Sequence, residues 1–402
     1  MGANPVPGYN AVTFLADETT YGTAVAPANV AAFAAQAIPT IQANTGKVQA
    51  PVVRGKQDRG LARDMQDGFV SGRFEAPTWN VMTSLRTRSA VDDPSREIAL
   101  WKACGFTRTT NAGVSYVLSP SNTPVESSDF VGQTMTRILG RSPGEMELER
   151  LLGCFAQSVK LEGGDKEVQA TFSGMAQTKT VGTSLPSITL ASAGVTTLTF
   201  TAAESYALAT GYYICESEII LVTAPTGGAT SCTIARAQLG STGASHTAQP
   251  LYPYLPTGIS YSGSPISEAL TTSFTFDSVT VPVLSWSVDI KTGLEPGPGE
   301  TGSANPFQVI KANRLDVAIS AQLLLKGNDV RLFNKARART NGACSIVQGT
   351  STGGVITIAS SNCEMQALEA ADNTNDSIVV PVSLRVRGSG AASPDSFSIT
   401  LT

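Results

Sequence analysis

A chain of 402 residues exceeds the usual size of one domain, so two domains are the expectation, and either can bury a full core. Only 15% of the residues are charged, while 37 Gly, 22 Pro and abundant Ser and Thr point to short strands joined by tight turns, an all-β chain. The formal net charge of -4 offers no bulk attraction to a phosphate backbone and argues against a protein that grips nucleic acid.

Taken in chain order, the opening MGANPVPGYNAVTF lacks the basic stretch and apolar run of a signal peptide, and Val6 stands where a myristoylation signal needs Ser or Thr. The longest apolar stretch, Val30 to Ile38, is too short to span a bilayer, so the expectation is a soluble protein made in the cytosol, with no membrane partner. Gln42 to Gly68 reads as a long loop of mixed charge, with Arg54, Lys56, Arg59 and Arg63 among Asp58, Asp64 and Asp67. Asp93 and Pro94 suit the start of a helix that puts Ile98, Trp101 and Cys104 on one side before Gly105 stops it.

Period-two alternation then marks strands: Val168, Ala170, Phe172; Leu284, Trp286, Val288, Ile290; Leu315 to Leu323; Ile378 to Val386; Phe397, Ile399, Leu401. Such a set suits a sandwich or barrel. Between about Pro186 and Gly258 charge thins out and Thr, Ala, Gly and Tyr increase. The reading is a discontinuous core domain over 1–185 and 259–402, interrupted by a self-contained β domain over 186–258. Thr292 to Phe307 reads as a second long loop. A second amphipathic helix is expected from about Asn328 to Asn341, with Gly342 as its stop and Arg331, Lys335 and Arg339 in a basic stripe opposite Phe333. That stripe reads as a solvated or intersubunit ion-pair face.

Catalytic patterns fail on context. Gly349 to Gly353 matches the spacing of a nucleophile elbow at Ser351, but a strand follows, and the only histidine, His246, precedes it. Gly297, Gly299 and Gly302 match a dinucleotide-loop spacing, but Pro298 removes a donor and the next regular element is a strand. His246 lies in a turn-like run where an imidazole most often bonds a neighbouring backbone group. The cysteines, Cys104, Cys154, Cys215, Cys232, Cys344 and Cys363, contain no CxxC pair and read as buried free thiols. A Cys215–Cys232 bridge is compatible with the sequence but disfavoured in the cytosol. The expectation is a non-enzyme with no catalytic residue, cofactor or metal.

Several segments carry a resemblance: Val12 to Thr23, a strand with Glu18 followed by a Gly22-Thr23 turn; Pro94 to Gly105, ending in Ala-Cys-Gly, followed by Tyr116 to Pro120; Arg150 to Cys154 through Leu161, then Val168 to Gly174; and Phe274 to Asp277, leading into Ser285 to Asp289 and Leu315 to Leu325. In order and spacing these resemble the major tail tube proteins of long-tailed, siphovirus-type bacteriophages. Gly211 to His246 resembles a small β module found in phage tail and fibre proteins.

The resemblance implies an all-β sandwich or barrel tail-tube fold with one or two flanking helices plus an inserted small β domain, akin to the type VI secretion tube protein. It further implies homohexameric rings that stack into a hollow conduit for double-stranded DNA in the virion tail. Partners would be the tape measure protein and the tail terminator and tail tip proteins, with assembly in the bacterial cytoplasm. A loop or arm would bridge successive rings, and Gln42 to Gly68 is the candidate, with Arg54, Arg59 and Arg63 as inter-ring contacts. The alternative is a non-enzymatic β-rich receptor-binding or decoration protein; a serine hydrolase using Ser351 stands third.

Overall fold

The computed structural model describes residues 11–46, 52–54, 68–70, 76–86, 97–120, 132–140, 146–223, 225–261, 263–266, 272–297, 309–311, 314–325, 330–338, 341–350, 354–368, 372–374, 377–388 and 396–402. Strands dominate it and the sheets are antiparallel.

Three long strands organise the body, because each changes partners along its length. In Glu147–Gly164 the first half pairs with Gln133–Leu139 and Thr178–Thr183, and the second half with Gln169–Met175 and Val279–Lys291. Val279–Lys291 starts against Ser273–Phe276 and ends against Asp316–Leu325. Ile356–Leu368 pairs first with Phe397–Leu401 and later with Ser377–Val386, keeping Asn341–Gln348 on its other side. Since Asn341–Gln348 also pairs with Ser273–Phe276, the ladder closes on itself as a barrel. Closure leaves the strands of the ring itself without the open edges that would otherwise invite aggregation.

Partner changes require bulges, and one of them corrects the sequence reading. Leu284 was expected on the core face with Trp286, Val288 and Ile290. The ladder shifts between Val283 and Ser285, so Val283 is buried while Leu284 is 41% exposed. The extra residue reverses the side-chain phase. Gly164 makes room for it: its φ is +118°, and a Cβ there would lie 2.4 Å from the Leu284 carbonyl oxygen.

Trp101 on the helix Ile98–Ala103 enters the core at 5.1 Å, edge-on, from Phe172 and meets Phe106 at 5.3 Å. Glu97 is the N-cap of this helix, with no side-chain capping bond; Asp93 and Pro94 lie outside the described residues. The second expected helix spans Val330–Ala338. It does not reach Asn341, because the strand Asn341–Gln348 begins there, and a side chain on Gly342 would collide with Asp277. A further helix, Val30–Ala35, occupies the apolar stretch; Asn29 caps it by accepting from the Ala32 N–H at 2.8 Å.

Both expected loops contain strands. Gln42–Thr45 pairs with Thr78–Ser84, and Val52–Arg54 pairs with Gly68–Val70. Leu294–Pro296 likewise pairs with Val309–Lys311.

The inserted region forms a separate six-stranded sheet in the order Leu185–Leu190, His246–Pro253, Gly211–Cys215, Glu218–Thr223, Ser231–Ala235, Thr197–Thr199. It does not pack as a self-contained knob. Its apolar cluster includes Phe14, Phe33, Ile138 and Leu148 of the body, with the Phe33 ring 5.5 Å from that of Tyr212 and tilted to it by 47°. All the cysteines are buried free thiols, Cys215 and Cys232 included.

Candidate functional site

Among the described residues, one broad face of the body sheet carries no helix. The strands Thr78–Ser84, Gln169–Met175, the second half of Glu147–Gly164, Val279–Lys291, Asp316–Leu325 and Ser377–Val386 lie side by side. Their inward residues, among them Val81, Phe172, Val159, Leu161, Val288, Ile319 and Leu384, are buried in the main core. Alternation therefore points the others outward. The described helices pack elsewhere: Ile98–Ala103 against Phe106–Asn111 and Val12–Asp17, and Val330–Ala338 against Ile356–Leu368.

Read across the strands, the outward residues form rows. One runs Asn80, Ser173, Ser158, Lys291, Asp316; the next Thr171, Lys160, Asp289, Ala318, Arg385; a third Gln169, Glu162, Ser287, Ser320, Ser383. Small hydroxyl and amide side chains dominate, and the cations have carboxylates beside them. Lys160 pairs with Glu162 at 2.9 Å, Arg385 with Asp316 at 2.9 Å, and Lys291 lies in register with Asp316. The Lys160 bond holds the Glu162 carboxyl below its ordinary range and, reciprocally, raises Lys160. Two hollows lie on this face, of about 460 Å³ around Glu162, Ser287, Ser320 and Ser383, and about 520 Å³ around Lys160, Thr171, Asp289 and Asp316. A polar, hollowed face on which Lys160 and Arg385 are ion-paired, with Lys291 and Lys166 forming no ion pair among the described residues, can hold a layer of water against a polyanion while offering it few free cations.

A buried charge cluster sits in the inserted sheet. Glu218, fully buried, accepts from Arg236 Nε and Nη2 at 2.6 Å each and from the Ala237 and Ala244 N–H groups at 3.0 Å. His246, 2% exposed, has Nε2 at 2.8 Å from Glu218 and Nδ1 at 2.8 Å from Glu216. Its ring thus meets carboxylates rather than the backbone group expected from sequence. Burial alone would raise the Glu218 carboxyl, but the Arg236 guanidinium, the two backbone N–H groups and the ring outweigh it and hold it at about 2. Among the described residues no hydroxyl or thiol bonds the ring, so no nucleophile is activated there. With Arg236 spanning Glu218, the cluster is not a metal cage; among the described residues no group of His, Cys, Asp and Glu is arranged to hold a metal ion.

A second buried carboxylate, Glu18, ties two of the quoted sequence segments together. Its Oε1 accepts from Thr134 Oγ1 at 2.8 Å and the Gly153 N–H at 2.9 Å, and its Oε2 from the Gly22 N–H at 2.8 Å. Gly153 has a φ of +64°, and a Cβ there would meet Tyr21 and Gln177 at 2.9 Å. Burial raises the Tyr21 phenol and the Cys154 thiol beside it, with the Glu18 charge acting the same way.

Of the residues singled out by sequence, Arg54 ends the strand Val52–Arg54, opposite Gly68, and its side chain lies outside the described residues. Arg59, Arg63, Ser351, Gly299 and Gly302 also lie outside them. The basic stripe is not simply solvated at Lys335, which donates to the Asp277 carbonyl at 2.8 Å and pairs with its carboxylate; the side chains of Arg331, Phe333 and Arg339 are outside the described residues. Sequence reasoning did not find the polar face. Its signal was present in the alternate residues of several strands, but nothing in the sequence says that those strands are neighbours.

Among the described residues no helix is long and apolar enough to cross a membrane. No family model matches the chain, and no curated protein matches it.

Proposed function

We propose that the chain is the structural subunit of a bacteriophage tail tube, forming hexameric rings that stack into a hollow conduit for double-stranded DNA. The observation that carries this reading is the polar sheet face, uncovered among the described residues, which we assign to the channel wall. Every Lys or Arg that neutralises a phosphate releases counterions and adds affinity, so a conduit works best when its cations are already paired. Lys160 and Arg385 meet that condition through Glu162 and Asp316. Strand order adds support: among the described residues Gln42–Thr45 pairs on one side only, with Thr78–Ser84, and leaves an edge that an identical neighbour can complete in a closed ring.

In this reading the subunit is located in the virion tail. It works with the tape measure, tail terminator and tail tip proteins, and DNA passes without specific binding. The span proposed to bridge rings, through Arg54, Arg59 and Arg63, is Gln42 to Gly68, within which Val52–Arg54 pairs with a strand beginning at Gly68. Electron microscopy of the purified chain tests the assembly: hollow rings or filaments support it, and discrete trimers with carbohydrate affinity favour a receptor-binding or decoration protein. Replacing Arg54, Arg59 and Arg63 with Ala should shorten tubes and lower their salt resistance; tubes unchanged in both respects would reject that contact.

A further inference from the structure

The seam between the body and the inserted sheet encloses a small cavity of about 30 Å³ lined by Arg150, Tyr212, Thr134, Thr136 and Gln36, with the exposed Val25 at its border. That volume admits one or two water-sized particles. Arg150 comes from the body strand Glu147–Gly164 and Tyr212 from the inserted strand Gly211–Cys215. Arg150 donates through Nη1 to the Thr210 carbonyl at 3.0 Å, but among the described residues its Nε is buried without a hydrogen-bond partner. The Tyr212 hydroxyl, on a residue 8% exposed, is also buried without one. Among the described residues Arg150 forms no ion pair. Glu18, the carboxylate whose field it feels, is committed to Gly22, Gly153 and Thr134.

Two polar groups that can donate, the cationic Arg150 Nε–H short of a counter-charge and the Tyr212 hydroxyl, therefore line a single cavity with neither bonded among the described residues. An unsatisfied buried donor and an uncompensated guanidinium are both costly, and one acceptor carrying negative charge relieves both. Water accepts hydrogen bonds but supplies no charge.

We propose that this seam is a binding site for a small monovalent anion of halide size, held by Arg150 Nε–H and the Tyr212 hydroxyl, which fastens the inserted sheet to the body when occupied. The volume excludes larger oxyanions with their hydration, so selectivity follows from size. Occupancy joins a residue from each side of the seam and raises the stability of the contact with anion concentration.

The test compares thermal unfolding of the full chain in sodium chloride, sodium bromide and sodium gluconate at equal ionic strength. It also seeks bromide by anomalous diffraction from crystals grown in its presence. The expected results are a higher midpoint in either halide than in gluconate, and a bromide peak between Arg150 and Tyr212. Arg150→Met keeps the apolar stem and should abolish the halide dependence. Tyr212→Phe, a milder change that leaves the fold intact, should weaken apparent halide affinity about tenfold, the loss of one hydrogen bond to a charge. Equal midpoints in all three salts, a cavity holding only water, or a halide dependence unchanged in Tyr212→Phe would each overturn the proposal.

Discussion

The body's open face and the inserted sheet handle charge in opposite ways. On the body's outward face the ion pairs are half-exposed: the Arg385 and Asp316 side chains are 43% and 36% exposed. In the inserted sheet Arg236, Glu218 and His246 are 5%, 0% and 1% exposed, respectively. Exposed pairs are screened and weak, whereas a buried pair that loses one member leaves a stranded charge. The inserted sheet therefore depends on its charges for integrity, while the body's face uses its charges to set surface character. Comparing substitutions in the two regions is the sharpest probe of this division.

The largest effect is expected in the buried cluster. Glu218→Ala strands Arg236 and His246 together and should lower stability by about 3–5 kcal/mol in denaturant unfolding, with the loss localised to the inserted sheet by hydrogen exchange. A drop below about 1 kcal/mol would show that water relaxes the cluster. Next comes the Glu18 junction: Gly153→Ala forces a side chain onto a backbone at φ +64° and into Tyr21, and should cost about 1–3 kcal/mol by the same measurement.

Acid gives an intermediate effect with a defined sign. The Glu218 carboxyl sits at about 2 in the folded protein against an ordinary 4.5, so the unfolded chain takes up the proton first. The stability it contributes is complete above about pH 4.5 and is lost as pH falls toward 2. An acid titration followed by hydrogen exchange should find the inserted sheet weakening over that window. Glu218→Gln should remove this component and flatten the profile. The smallest effect belongs to the open face: Asp316→Asn should shift stability by less than about 1 kcal/mol. The functional reading makes it matter in another assay, because releasing Arg385 should raise salt-sensitive retention of duplex DNA by assembled tubes.

Much of the body was legible in the sequence. Asp316–Leu325 and Phe397–Leu401 alternate cleanly because one side faces the core and the other water. Leu284 misled because a bulge inserts one residue, and periodicity carries no marker for that; the tolerance resides in Gly164, over a hundred positions away. The helix Val30–Ala35 was readable in retrospect from Asn29 ahead of an alanine-rich run, a cap that the apolar character concealed. His246 was placed in a turn by its Gly and Ser neighbours, yet its partners are Glu216, in the turn after Gly211–Cys215, and Glu218, at the start of Glu218–Thr223, a pairing set by topology. The polar face failed for the same reason, since its rows exist only once the strands are in register.

Cryo-electron microscopy of the purified, concentrated chain tests the central claim most directly. The account predicts hollow hexameric rings or stacked tubes whose channel wall is the face bearing Ser158, Lys160, Ser287, Ser320 and Ser383. Particles that stay solitary at every concentration, or tubes that turn this face outward, would contradict it.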